Sequence, residues 1–105
     1  MADQVNYRDT EAVAGGMHFL RDPLDCEQLG VTVLEADPGW EGKAHDHADN
    51  DHEEVYLLVE GEAEVEVDGD THELEGGDAL RIDPDAERRI RNGDTESRFV
   101  LVGAP

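Results

Sequence analysis

The sequence contains few of the residues that cross-link proteins or bind polyanions. Its single cysteine, Cys26, excludes an internal disulfide, and only eight of its 105 residues are Lys or Arg. The neighbours of Cys26 in "LDCEQLG" include no cation that would activate a thiolate, so we expect a small, partly buried side chain there. The shortage of basic residues excludes nucleic-acid binding, because contacts to phosphates need a basic stripe.

The sequence also lacks long apolar runs. No segment approaches the ~20 apolar residues that span a bilayer. The first residues, "MADQVNYRDTEAVAGG", have no apolar core of the kind that a signal peptide requires. We therefore expect a cytoplasmic protein with neither a membrane nor a nucleic acid as its partner.

Acidic residues are the most abundant feature of the composition. The chain has 28 acidic residues against 8 basic ones, a net charge of -20, and its only lysine is Lys43. The acidic residues are spread among apolar residues rather than gathered in one block, which argues against a disordered acidic tail. Molar salt, with its Debye length of ~3 Å, would screen their mutual repulsion. The composition resembles that of proteins from extreme halophiles and predicts adaptation to a salty cytosol.

The apolar residues recur with a period of two, which is typical of strands. In residues 62–67, Ala63, Val65 and Val67 fall on one face and glutamates on the other. Asp68-Gly69 predicts a tight hairpin turn, after which "THELE" forms the returning arm with His72 at the surface on its glutamate side. Further strands are predicted at 30–36, 54–60, 78–82, 88–92 and 97–103.

These short strands, separated by turn signals and without a helical stripe, predict an all-β sandwich or barrel. A chain of 105 residues has room for one core only. We predict a flexible N-terminal segment over residues 1–14 and a single barrel domain over residues 15–105.

Histidines are concentrated just before the most apolar strand. His45 and His47 are two residues apart, so on a strand both imidazoles point to one face, roughly 7 Å apart at the backbone. Glu54 opens the next strand and would complete the two-histidine, one-carboxylate set of open metal sites. His52 would share the face of Glu54. The alternative is a solvated loop whose histidines have no common ligand.

The spacing around these histidines resembles the first motif of the cupin family. The motif positions are Gly39, five residues, His45, His47, then Glu54, six residues and Gly61, with a gap before Glu54 that is two or three residues longer than the family's usual one. Gly77 and Asn92 similarly hold their places in the second motif. The resemblance covers about residues 30–103 and implies a double-stranded β-helix, or jelly roll.

The resemblance implies a small molecule bound in the barrel, through a divalent metal held by His45, His47 and Glu54. Iron, manganese, zinc and nickel are not distinguished, and the metal could be absent. The chain departs from the family at Arg88, which stands where the second motif usually carries a metal-binding histidine. A guanidinium cannot ligate a cation and stays protonated.

Two arrangements of Arg88 therefore stay open. It could pair with Glu54 in place of the metal, or it could face an open metal position and bind an anionic ligand. We include Arg88 and Tyr56 as candidate substrate-binding residues, with Trp40 as a further candidate for the cavity wall. The corresponding functions are a metal-dependent enzyme, a metal-free cupin that binds a small anion through Arg88, and a non-catalytic sensing or accessory module.

We also expect a homodimer. The segments "VYLLV" and "FVLVG" are apolar on both faces, and one small barrel cannot bury all of that surface. Small cupins that this sequence resembles commonly pair through their sheets.

Overall fold

A computed structural model describes residues 1–105 and shows two antiparallel β-sheets. A short 3-10 helix at Tyr7–Asp9 precedes eight strands: β1 (Met17–Phe19), β2 (Gly30–Ala36), β3 (Glu53–Glu60), β4 (Glu62–Val67), β5 (Asp70–Glu75), β6 (Ala79–Ile82), β7 (Arg88–Asn92) and β8 (Ser97–Ala104). The larger sheet has the order β1-β2-β8-β3-β6, and the smaller has the order β5-β4-β7. The predicted all-β fold is confirmed. The structure contains no helix whose length and hydrophobicity would let it cross a membrane.

Period-two alternation located the strands because each contributes one face to a shared core. In β4, Ala63 and Val65 are buried, as predicted from their alternation with glutamates. The core lies between the two sheets and comprises Leu34, Ala36, Tyr56, Leu58, Ala63, Val65, Leu74, Ile82, Ala86, Ile90, Phe99 and Leu101. Both sheets contribute to it, so each sheet buries its apolar face against the other.

The β4–β5 hairpin has the predicted turn. Asp68 and Gly69 take φ values of 49° and 85°, the pair of positive φ angles that favours Asp-Gly in two-residue hairpins. The face predicted for His72 was wrong, because His72 lies opposite Val65 in the register and therefore shares the inner face of the sheet. It is nevertheless exposed, since the core does not extend to that end of β5.

Gly61 and Asn92, two residues of the cupin-like motifs, have structural roles at the same end of the barrel. Gly61 has a φ of 99°, and a Cβ there would lie 2.3 Å from Ser97 Oγ, so a larger residue would be strained and would clash. The buried Asn92 amide donates to the carbonyl oxygens of Ala36, Asp37 and Thr95. Ser97 Oγ donates to Asn92 Oδ1 over 2.6 Å. These bonds connect the ends of β2, β7 and β8.

Part of the N-terminal segment contacts the barrel. The Tyr7 hydroxyl donates a hydrogen bond to the Glu35 carboxylate on β2. Trp40 Nε1 donates to the Ala14 carbonyl over 3.0 Å, and Val13 forms a β-bridge with Met17. The flexibility predicted for residues 1–14 stays a prediction.

The outer face of the larger sheet carries an apolar patch, which we call the valine face: Val31, Val55, Leu57, Val100 and Val102. In the register, Val102 lies between Val31 and Val55, and Val100 lies opposite Leu57, so these side chains adjoin one another. Val55 is 39% exposed. Val31, Leu57, Val100 and Val102 are half-buried, so the valine face is partly exposed to solvent.

Candidate metal centre

The backbone fixes the segment that carries the two candidate histidines against β7 and the turn before it. His45 forms an antiparallel bridge with Arg88, in which His45 N donates to Arg88 O over 3.0 Å and Arg88 N donates to His45 O over 2.8 Å. His47 N donates to Pro84 O over 2.7 Å. Although the segment is not a regular strand, these bonds hold both histidines at one end of the barrel.

The structure brings together the three residues that the sequence predicted as metal ligands. One ligand atom from each of His45, His47 and Glu54 lies within 4.8 Å of the other two. Ligand atoms around an ion bound at ~2.1 Å are themselves roughly 3 to 3.5 Å apart. Small side-chain movements would therefore close the cluster around a divalent cation, and two imidazoles with a carboxylate suit zinc or a first-row transition metal.

The hydrogen bonds of the two imidazoles indicate their tautomers. His45 Nδ1 lies 3.0 Å from the Lys43 carbonyl oxygen. Because a carbonyl only accepts, the proton is on Nδ1 and the Nε2 lone pair is free, as in metal-ligating histidines. His47 Nε2 lies 3.0 Å from Glu54 Oε1, so it donates its proton there, and a metal ion at this nitrogen would replace that proton.

Arg88 is buried behind Glu54, and each of its three guanidinium nitrogens donates a hydrogen bond. Its side chain has no exposed surface, and Nη1 donates to Glu54 Oε1 over 2.6 Å. Nη2 donates to the Asp83 carbonyl over 2.6 Å, and Nε donates to the Ala86 carbonyl over 2.9 Å. The ion pair considered as one of the two arrangements is therefore present, and it coexists with the three-residue cluster.

Arg88 does not line the cavity described below. Direct contact between Arg88 and a ligand stays a prediction, and it would require the guanidinium to leave at least one of its acceptors. The arginine instead holds the Glu54 carboxylate in position through Oε1.

Tyr56 contacts the same carboxylate from inside the barrel. Its hydroxyl lies 3.4 Å from Glu54 Oε1. Burial raises the pKa of Tyr56 well above its usual value, and the charge of Glu54 raises that pKa further, while Arg88 partly opposes the shift. Tyr56 therefore presents a neutral hydroxyl. Oε1 receives all these protein contacts, whereas Glu54 Oε2 accepts no hydrogen bond and is free to ligate a cation.

The cluster forms part of the wall of a cavity of about 720 Å³. Tyr56 and Trp40, both considered as lining residues from the sequence, lie in this wall. Its apolar part is formed by Met17, Phe19, Trp40, Ile90 and Leu101. A second, larger cavity of about 810 Å³ is lined mainly by acidic residues, and no histidine lies in its wall. The chemistry therefore assigns the candidate site to the smaller cavity.

The remaining histidines lie outside the cluster. His52 lines the cavity with its ring 6.2 Å from that of His47, and its role as a fourth ligand stays a prediction. His18 Nδ1 hydrogen-bonds to Thr10 Oγ1 over 3.0 Å. His72 is exposed on β5.

Sequence reasoning missed the wall contributed by β1 and the loop after it. Met17, Phe19 and Arg21 reach the cavity because β1 pairs with β2, placing Phe19 opposite Thr32. No signal in the sequence could have shown this, since a three-residue strand has too little alternation to reveal its partner or its inner face.

Comparison with known proteins agrees with this geometry. A model of the cupin domain, Cupin_2, matches residues 32–103, more than half of the chain. A protein from Streptomyces cyaneus named polyketide synthase CurC is 36% identical over 78 residues, which cover 73% of this chain and 48% of that protein. The chain thus spans about half the length of this curated relative.

Solved cupin structures share the fold over nearly the whole chain. A cupin protein from Bacteroides fragilis is 27% identical with a TM-score of 0.78, and the match covers 96% of this chain and 86% of that one. A sugar phosphate isomerase from a cupin superfamily, from Silicibacter pomeroyi, is 21% identical with a TM-score of 0.80, covering 97% and 75%. The two sheets thus form a cupin barrel, and the chain belongs to the Cupin_2 family of cupin domains.

Proposed function

We propose that the protein binds a small oxygen-bearing molecule at a divalent metal ion held by His45, His47 and Glu54. The observation that carries this proposal is the convergence of their ligand atoms within 4.8 Å of one another in the cavity wall. Three protein ligands leave coordination positions open to a water or a ligand. When bound, such an ion supplies Lewis-acid polarisation of an oxygen atom.

The surrounding residues orient the ligand set and shape the cavity. Arg88 holds Glu54 through a 2.6 Å ion pair and thereby offsets the carboxylate charge that a cation would otherwise meet alone. We therefore expect the metal ion to bind more weakly and to exchange faster than at a site whose carboxylate has no cationic partner. The neutral hydroxyl of Tyr56 offers a hydrogen bond to a bound molecule, and Trp40 offers an apolar surface.

The Streptomyces relative supports an oxygenated carbon skeleton as the ligand class. It is named a polyketide synthase and is 36% identical over the matched region. Polyketides combine carbonyl or hydroxyl oxygens with an apolar skeleton. A cavity with a metal-ligand cluster on one side and apolar side chains on another suits that combination.

Metal content and calorimetric titration test the proposal. The protein is purified in high salt without a chelator or an affinity tag, and is then titrated with zinc, manganese, nickel and ferrous ions. We expect one ion per chain, lost in His45→Ala and in His47→Ala because each removes an imidazole ligand. His72→Ala is the matched control, since this exposed histidine lies outside the cavity. Equal binding by all the variants would refute the assignment.

The Arg88–Glu54 pair favours a second candidate, a metal-free cupin that binds its ligand without an ion. A carboxylate whose charge is already offset by an arginine 2.6 Å away attracts a metal cation less strongly. Arg88→His distinguishes the candidates, because it removes a repelling charge and adds an imidazole. If the wild type binds no ion while Arg88→His binds one tightly, the second candidate is correct.

A further inference from the structure

Most basic side chains of this chain pair with carboxylates. Arg81, Arg88, Arg89, Arg91 and Arg98 each have a carboxylate oxygen within 4.0 Å. The three remaining cations, Arg8, Arg21 and Lys43, have none. In a chain with 28 acidic residues, carboxylate partners are abundant. It is therefore informative that two of the three unpaired cations, Arg21 and Lys43, line the same cavity.

Different parts of the chain supply these two cations. Arg21 follows β1, and its Nη2 donates to the Glu27 carbonyl over 2.8 Å, which anchors the guanidinium while leaving other donors free. Lys43 lies two residues before His45, and its carbonyl oxygen is the acceptor for His45 Nδ1. Both side chains belong to exposed residues, so they form the solvent side of the cavity wall.

The carboxylates of the cavity wall are already neutralised. The wall contains two of them, Glu41 and Glu54. Glu41 pairs with Arg89 at 3.0 Å, and Glu54 pairs with Arg88 at 2.6 Å. The aspartates of the neighbouring loop, Asp46, Asp49 and Asp51, do not line the cavity. The charges left without a partner in this wall are thus positive, in a protein whose net charge is -20.

We propose that the cavity binds a small organic anion whose carboxylate or phosphate group is held by Arg21 and Lys43. Its apolar body would pack on Met17, Phe19 and Trp40, which lie in the same wall. This inference rests on the proposed function only in using the same cavity, and it assigns the anion to Arg21 and Lys43 rather than to the fully paired Arg88. Guanidinium and ammonium groups are the usual partners of such anions.

The test compares two probes of nearly the same shape. Benzoate and its uncharged analogue benzamide are titrated into chelator-treated wild-type protein at the lowest salt that keeps it folded, with phenyl phosphate as the third probe. We expect benzoate to bind more tightly than benzamide. Arg21→Gln and Lys43→Gln should each weaken benzoate binding roughly two- to fivefold, the range for an exposed charge pair, and leave benzamide unchanged. The ratio of benzoate to phenyl phosphate affinity distinguishes a carboxylate site from a phosphate site.

Arg8→Gln is the matched control, because it removes the third unpaired cation, which lies outside the cavity. Equal affinity for benzoate and benzamide, an equal loss in Arg8→Gln, or no saturable binding of the anionic probes would overturn the inference. Metal binding is measured on the same preparations. If the wild type binds no ion and still prefers benzoate, the proposed metal function fails while the anion site stands. If the wild type binds metal but does not prefer benzoate to benzamide, the anion site fails while the proposed metal function stands.

Discussion

Removing Arg88 should destabilise the fold strongly, because this arginine is the buried partner of a carboxylate. Its side chain has no exposed surface and Glu54 is 16% exposed, so Arg88→Ala leaves a largely buried charge without its cation. The change also removes the donors to the Asp83 and Ala86 carbonyl oxygens. Breaking such a pair costs about 3 to 5 kcal/mol, a large part of the ~5 to 15 kcal/mol that stabilises a typical domain.

The assay is urea or thermal unfolding followed by circular dichroism in molar salt. Arg98→Ala is the control, because Arg98 pairs with the exposed Glu60 at 3.3 Å and its loss should cost only about 0 to 1 kcal/mol. The double variant Arg88→Met, Glu54→Met should recover stability, since it leaves no unpaired charge. The reasoning is refuted if Arg88→Ala costs no more than Arg98→Ala, or if the double variant is as unstable as Arg88→Ala.

Three further predictions concern salt, assembly and alkaline pH. The melting temperature should rise markedly from dilute buffer to molar potassium chloride, because a net charge of -20 is then screened; a flat curve would remove the salt argument. The protein should sediment as a homodimer in molar salt, and Val55→Glu on the valine face should yield monomers; a wild type that is monomeric at micromolar concentration would contradict this. Since burial raises the folded-state pKa of Tyr56, the unfolded chain loses the phenolic proton first, and stability should fall as pH rises above ~10. Tyr56→Phe should reduce this loss of stability at alkaline pH more than Tyr7→Phe does. Equal effects of the two substitutions would contradict the prediction.

Much of the barrel could be predicted from the sequence because its strands are short and lie between turn residues. β4 alternates apolar and acidic residues, whereas β3 and β8 contain continuous apolar runs. The segment 30–36 is a strand with those bounds, and 62–67 is another, while the strand predicted at 54–60 begins one residue earlier at Glu53. Asp68-Gly69 specified its turn through local backbone preference. The face of His72 was mispredicted although the strand contained the signal: His72 is two residues before the buried Leu74, so period two places both on the inner face.

The candidate site could be predicted in part. The spacing of His45 and His47 and the position of Glu54 predicted their convergence. The arrangement of Arg88 could not be read from the sequence, because a long side chain adopts the conformer that satisfies its donors. Two of its acceptors are the backbone carbonyls of Asp83 and Ala86. The orientation of these carbonyls is set by the folded turn and cannot be read from the sequence.

The most direct test of the central claim is the anomalous diffraction of a crystal of the zinc-loaded protein. The account predicts one peak bonded to a ring nitrogen of His45, a ring nitrogen of His47 and an oxygen of Glu54, with Arg88 still paired to that carboxylate. Bonds of about 2.0 to 2.2 Å are expected. The absence of a peak among these three residues, or a peak only on the acidic surface, would contradict the account.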